Sequence, residues 1–357
     1  MRLVLVLVLA LAAVIPAATA ATGAESASRY LVTAQGVGSP PRAVVEIVDQ
    51  TGRVERIVAH PGFTQSLGAR WSPDGSMLAW IGRDPRDGGR HDGLNVERAD
   101  GSGRRVLALT GCSDHCSAFS FAWSPDSRSL AVAGAGAGID RVLVISASTG
   151  RTVKIDPAVR LQSHVNYFVI GWSPDGRSIV YERIAGTLGQ AGCCRLDVRI
   201  ARADGSGTRV TYRFPDPFYK GSFPSLSPDG RSIAYVTPSD DGRRELVRVA
   251  DLRSGASHAI RGLGVLFELP PAWSPDSRTL ALGRLYGEAV TIPARGGRPH
   301  RLGALGTGVA WDRSGGLVIV RGKRSDEVWA SRRGEPARFL FRIPGKLDVA
   351  TIDPSPT

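Results

Sequence analysis

Lysine is nearly missing from this chain. Of 45 basic side chains, only Lys154, Lys220, Lys323 and Lys346 are lysine; the rest are arginine. Beyond residue 15 no apolar run is long enough to span a bilayer as a helix, which excludes a mature helical membrane segment. Helix signals are also missing after the first twenty residues: no stretch combines a 3.6-residue apolar period with capping residues. No Gly-x-Ser-x-Gly pentapeptide occurs, so the nucleophile elbow of an α/β-hydrolase is absent. Cysteine is confined to Cys112, Cys116, Cys193 and Cys194. None stands at the end of the leader, which argues against a lipid anchor.

The leader itself is plain. Met1-Arg2 is a short positive start, Leu3 to Ile15 is an apolar run, and Ala18-Thr19-Ala20 is a small-residue cleavage site. Residues 1–20 are therefore expected to be a signal peptide and 21–28 a short linker. Residues 29–357 are expected to be one domain, exported to the periplasm, the cell wall or the medium. A hydrophobic fraction of 42% supports a large core. The net charge of +12 would suit an anionic partner. The arginines are spread along the whole chain, however, as on a solvated surface encoded by a GC-rich genome. No nucleic-acid partner is expected.

What the sequence has in abundance is a repeat. Trp71-Ser72-Pro73-Asp74-Gly75 returns at Trp123–Ser127 and Trp172–Gly176, and again at Trp273–Ser277. Leu226-Ser227-Pro228-Asp229-Gly230 has lost the Trp, and Trp311-Asp312-Arg313-Ser314-Gly315 is more worn. The anchors stand 52, 49, 54, 47 and 38 residues apart, a period that marks a repeat architecture. Within residues 168–213, "FVIGW" reads as a strand and "SPDG" as a tight turn. "RSIVYER" alternates apolar and polar as a second strand. "RLDVRIARADGSGTRVTYRF" supplies two more strands around an Asp-Gly-Ser-Gly hairpin. Four antiparallel strands per unit, repeated at this period, make an all-β propeller. Trp71, Trp123, Trp172, Trp273 and Trp311 are assigned to packing between blades, and Asp74, Asp126, Asp175, Asp229 and Asp276 to the turns.

These turns resemble the TolB-type "PD" propeller repeat, a relative of WD repeats. The resemblance covers most of the mature chain and implies an exported propeller that binds a partner. TolB carries an α/β domain before its propeller; here the blades begin by residue 29. Prolyl-oligopeptidase relatives join such a propeller to a hydrolase domain, for which no motif is present. Residues 28–58 supply three strands lacking an innermost one, and "LDVATIDPSP" (347–356) is a lone strand. Joining them makes a seventh blade and closes the ring. Six blades, with the N-terminal strands packed elsewhere, is the alternative.

The first-to-second and third-to-fourth turns share one face and are short. The long loops at 82–93, 110–119, 157–167, 183–194, 214–223 and 261–271 share the other face, where function is expected. All four cysteines fall there, and in an exported protein an even count reads as disulfides. Cross-links between the 112/116 and 193/194 loops are favoured over a strained Cys193–Cys194 bridge. A metal site using His115, or free thiols, are the alternatives. The loop face also offers Arg83, Arg86, Arg90 and Arg183, with Phe214, Phe218, Tyr219 and Lys220, and His60, His91, His115 and His164. Aromatic and arginine residues are common interface anchors, so a protein or peptide partner, acidic in character, is expected for a monomeric chain. No cofactor or resident metal is expected. The histidines have no fixed spacing, so a non-catalytic binding role is favoured over a lyase, lactonase or hydrolase working at the channel mouth.

Overall fold

Each Ser-Pro-Asp-Gly copy closes its hairpin with its own side chains. The Ser72 hydroxyl donates to the Asp74 carboxylate at 2.6 Å and accepts from the Met77 N–H at 2.9 Å. Asp74 accepts in turn from the Ser76 N–H at 3.0 Å. The same pair of bonds to serine recurs at Ser124, Ser173, Ser227 and Ser274. Partial burial alone would raise the Asp74 carboxyl, but hydrogen bonds from Ser72 and Ser76 hold it down to about 2. The fifth position must take a positive φ. Glycine supplies it at Gly75, Gly176 and Gly230, while Ser127 and Ser277 adopt φ near 60° without being glycine. Their hydroxyls compensate for the strain by accepting from the Asp74 and Asp229 N–H groups of the preceding blade, each at 3.0 Å.

The computed structural model describes residues 29–36, 43–59, 69–83, 92–109, 116–136, 139–155, 159–160, 165–186, 195–214, 224–238, 245–261, 263, 270–284, 287–306, 308–321, 326–332, 335–343 and 347–356. Every regular element among them is a strand. They form seven antiparallel sheets arranged as a β-propeller. Blade 1 runs, from the innermost strand outward, Leu347–Pro354, Arg29–Gly36, Ala43–Asp49 and Val54–Ala59. The two ends of the chain thus share one sheet: Ile352 pairs with Val32 and Thr351 with Thr33, and the Ser355 N–H donates to the Arg29 carbonyl at 2.9 Å. Blades 2 to 7 follow in sequence order, beginning at Arg70–Trp71, Cys116–Trp123, Val165–Trp172, Ser225–Leu226, Ala272–Trp273 and Gly308–Trp311. In blade 3 a short extra strand, Val159–Arg160, pairs with Ile139–Ser146. The seven-bladed count, closed by the C-terminal strand, holds.

The core is a ring of seven layers, one between each pair of neighbouring blades. Ile352, Tyr30, Val318 and Phe341 fill the layer between blades 7 and 1. Leu31, Ile47, Trp71 and Leu78 fill the next, and the pattern continues round the ring. The repeated Trp staples these layers. Its indole N–H donates to a carbonyl on the innermost strand of the preceding blade: Trp172 to Ala122 at 3.0 Å, Trp273 to Ser225 at 3.1 Å and Trp311 to Ala272 at 3.0 Å. Where blade 5 has Leu226 instead, the leucine packs directly on Gly171 of blade 4. A Cβ at Gly171 would stand 3.1 Å from the Leu226 Cδ2, so glycine lets the leucine in.

The alternation read in "RSIVYER" does not give a wet face. Both faces of a blade are covered by neighbours, so second strands are buried on both sides, and Glu182 is 0% exposed. The outermost strands, such as Thr208–Arg213, turn several side chains to solvent.

Candidate functional site

Most residues singled out on the loop face lie outside the described residues. These are His60, Arg86, Arg90, His91, His115, His164, Phe218, Tyr219, Lys220, Cys112, Cys193 and Cys194. Arg83 ends the strand Met77–Arg83, paired with Asp92, and Cys116 opens Cys116–Trp123, paired with Gly136; their side chains are not described. Arg183 is described, and it is already engaged. It pairs in register with Asp197, and its guanidinium stands 3.7 Å from that carboxylate. Arg199 holds the same carboxylate at 2.7 Å. Asp197 is 2% exposed, so this is an internal ion cluster of blade 4.

Beside it sits Glu182, whose cross-strand neighbours are Phe168 and Val198. Neither carboxyl oxygen has a hydrogen-bond partner. Burial, reinforced by the negative charge of Asp197, pushes its pKa up to about 8, so it is protonated at neutral pH. A second buried carboxylate, Glu97 of blade 2, is 0% exposed and satisfied: Arg56 of blade 1 donates at 2.5 Å and Arg104 at 2.8 Å. Arg104 also lies over the Trp80 ring, 5.1 Å from its centre. Among the described residues no group of three or more His, Cys, Asp or Glu side chains is arranged to hold a metal ion.

The described cavities lie on the opposite, short-turn face. Sequence reasoning passed over that face because its turns are formulaic. One cavity of about 470 Å³ opens between blades 6 and 7. Its floor is apolar, from Ile292 and Leu302 of blade 6 with Trp311 and Leu317 of blade 7. Its lining includes arginines from three separate turns, Arg298, Arg313 and Arg332, together with His300. The sole carboxylate in the lining, Asp276, is occupied by its own turn, accepting from Ser274 at 2.5 Å and the Arg278 N–H at 3.1 Å. A second depression, about 480 Å³ between blades 5 and 6, mixes Arg231 and Arg295 with Asp229 and Asp251 and has no such excess of cations.

The reason for the first cleft lies in the worn turn. Between blades 3 and 4 and between blades 4 and 5 the turns abut. A Cβ at Gly230 would stand 2.7 Å from Pro174, and one at Gly176 would stand 3.8 Å from Pro125. Between blades 2 and 3, and between 5 and 6, the serine hydroxyls described above make the link. In blade 7 the Pro is replaced by Arg313, and a Cβ on Gly315 would meet nothing within 4 Å. The layer beneath is thin as well, because blade 6 contributes Ala281, Ala289 and Ala304. The signal was therefore present at Trp311–Gly315, as a departure from the repeat.

No family model matches the chain. Among solved structures it superposes on TolB from Acinetobacter baumannii with a TM-score of 0.51 at 16% identity, over 75% of this chain and 61% of that one. The fold is a TolB-type β-propeller. The chain spans about three fifths of that TolB's length. An oligogalacturonate lyase in complex with manganese superposes at 0.54 with 12% identity, over 85% of both chains. A puromycin hydrolase S511A mutant complexed with PGG gives 0.55 at 15% identity, over 77% of this chain and 46% of that one. At these identities the likeness is one of fold, shared by TolB and by propeller enzymes alike.

Proposed function

We propose that this chain is an exported, non-catalytic propeller that binds an acidic protein or peptide partner in the cell envelope. One contrast carries the reading. The buried carboxyl groups Glu97, Glu182 and Asp197 are sealed between strands and blades, whereas the open cleft offers cations around an apolar floor. That is the lining of a binding site. The leader at residues 1–20 supports export. The arginine and aromatic residues of the loop face, Arg83, Arg86 and Arg90 with Phe218, Tyr219 and Lys220, remain proposed as additional contacts, and the four cysteines as disulfides beneath them.

A second reading has one observation in its favour. Glu182, raised by burial and by the nearby charge of Asp197, is a carboxyl group held protonated at neutral pH, as a general acid can be. Complete burial of Glu182 removes it from any substrate, which favours a packing role. Retention of a partner from envelope extract on the immobilised mature chain, with no turnover in a hydrolase and lyase screen, is the expected result. Turnover lost in Glu182→Gln would reverse the assignment.

A further inference from the structure

We infer that the cleft between blades 6 and 7 is the binding site for an acidic peptide segment that places one apolar side chain on its floor. The inference rests on the binding role proposed above and names its ligand class. Three features carry it: the volume, the charge and the position of the apolar surface.

A volume of about 470 Å³ falls in the range of small-ligand sites, roughly 300–1,000 Å³. The cations come from the third-to-fourth turn of blade 6 (Arg298) and from the first-to-second and third-to-fourth turns of blade 7 (Arg313 and Arg332). They therefore come from turns of both blades that flank the cleft. Arg298 is exposed and has no acidic partner among the described residues. Arg313 spends one donor on the Pro73 carbonyl of blade 2, across the place where blade 1 has chain ends instead of a turn. A guanidinium has five donors, so others remain for a carboxylate.

An all-charged ligand would leave the floor of Ile292, Leu302, Trp311 and Leu317 unused. An apolar ligand would strip water from the arginines without replacing it. A segment alternating carboxylates with an aliphatic side chain satisfies both, with the carboxylates at the rim and the aliphatic group inside. An extended peptide has this arrangement, since its successive side chains point to opposite sides.

The test uses the mature chain and a fluorescein-labelled hexapeptide of alternating aspartate and leucine, read by fluorescence anisotropy. Arg298→Ala and Arg332→Ala should each weaken binding by about tenfold, the scale of one charge-assisted hydrogen bond. Thr291→Trp, which fills the cleft from blade 6, should abolish it, with far-UV circular dichroism and melting confirming that each variant folds. Three results overturn the inference: equal binding by the peptide with asparagine in place of aspartate, unchanged binding in both arginine variants, or complete displacement by inorganic phosphate, which would make the cleft a small-anion site. If the arginine variants lose the peptide but keep an envelope partner, the binding role stands and this cleft is not where that partner sits.

Discussion

Removal of residues 346–357 should open the ring, and the size of the effect follows from what that strand touches. Seven positions pair between Leu347–Pro354 and Arg29–Gly36. Their backbone bonds, at about 1 kcal/mol net each, are roughly offset by the ~1–2 kcal/mol per residue needed to order the segment. The net loss comes from what is left behind. Ile352 is 6% exposed and packs with Tyr30, Val32 and Phe341; deleting such a side chain from a core costs about 2–5 kcal/mol. The Trp71 N–H donates to the Asp353 carboxylate at 2.8 Å, and orphaning a buried donor costs about 1–3 kcal/mol. Together these predict a loss of about 3–8 kcal/mol, a large share of the ~5–15 kcal/mol typical of a domain. A chain of this size should melt about 5–10 °C lower. Thermal melts by circular dichroism, with urea unfolding beside them, read it directly. Ile352→Ala should reproduce about half the loss. Cutting only Pro356 and Thr357 should do little, whereas a cut that includes Ser355 removes its bond to the Arg29 carbonyl. If the twelve-residue truncation melts with the full mature chain, the terminal strand does not hold the ring and the reasoning fails.

Two further tests probe single side chains. Glu182 is protonated in the folded state up to about pH 8 but releases its proton near its ordinary value when unfolded, so the folded state binds more protons between those limits. Stability should therefore fall as pH rises from about 4.5 to 8, by about 4 kcal/mol in all. Glu182→Gln should flatten that decline and be the more stable protein at pH 8; parallel urea midpoints at pH 5 and pH 8 in both proteins would contradict the burial argument. Trp172→Phe should cost about 1 kcal/mol more than Trp71→Phe, because the Trp172 indole N–H bonds to Ala122 while that of Trp71 has no partner. Equal losses in chemical denaturation would mean that the indole staple does not hold neighbouring blades.

How much could be read from the sequence depended on whether the responsible physics was local. Ser-Pro-Asp-Gly closes its turn with atoms from within six residues of itself, so the turn could be read without knowing what surrounds it. The closure by residues 347–354 was legible for a related reason: a lone strand at one end and three strands at the other leave a deficit that only pairing removes. The burial of Glu182 could not be read from the period-two pattern of "RSIVYER", because both faces of a second strand are covered in a blade. Its burial is set by blades 4 and 5 together, which no single repeat reveals. Arg183 looked available for a partner because Asp197, fourteen residues on, belongs to the next strand and the pairing depends on register. The cleft was hidden for a different reason. It arises where blade 7 lacks the Pro that meets a neighbouring turn and blade 6 lines the layer with alanines. Both depressions border copies that depart from the repeat: the one between blades 5 and 6 adjoins Leu226–Gly230, and the cleft between blades 6 and 7 is the other opening. Trp311–Gly315, the most altered copy in the chain, is where that opening lies.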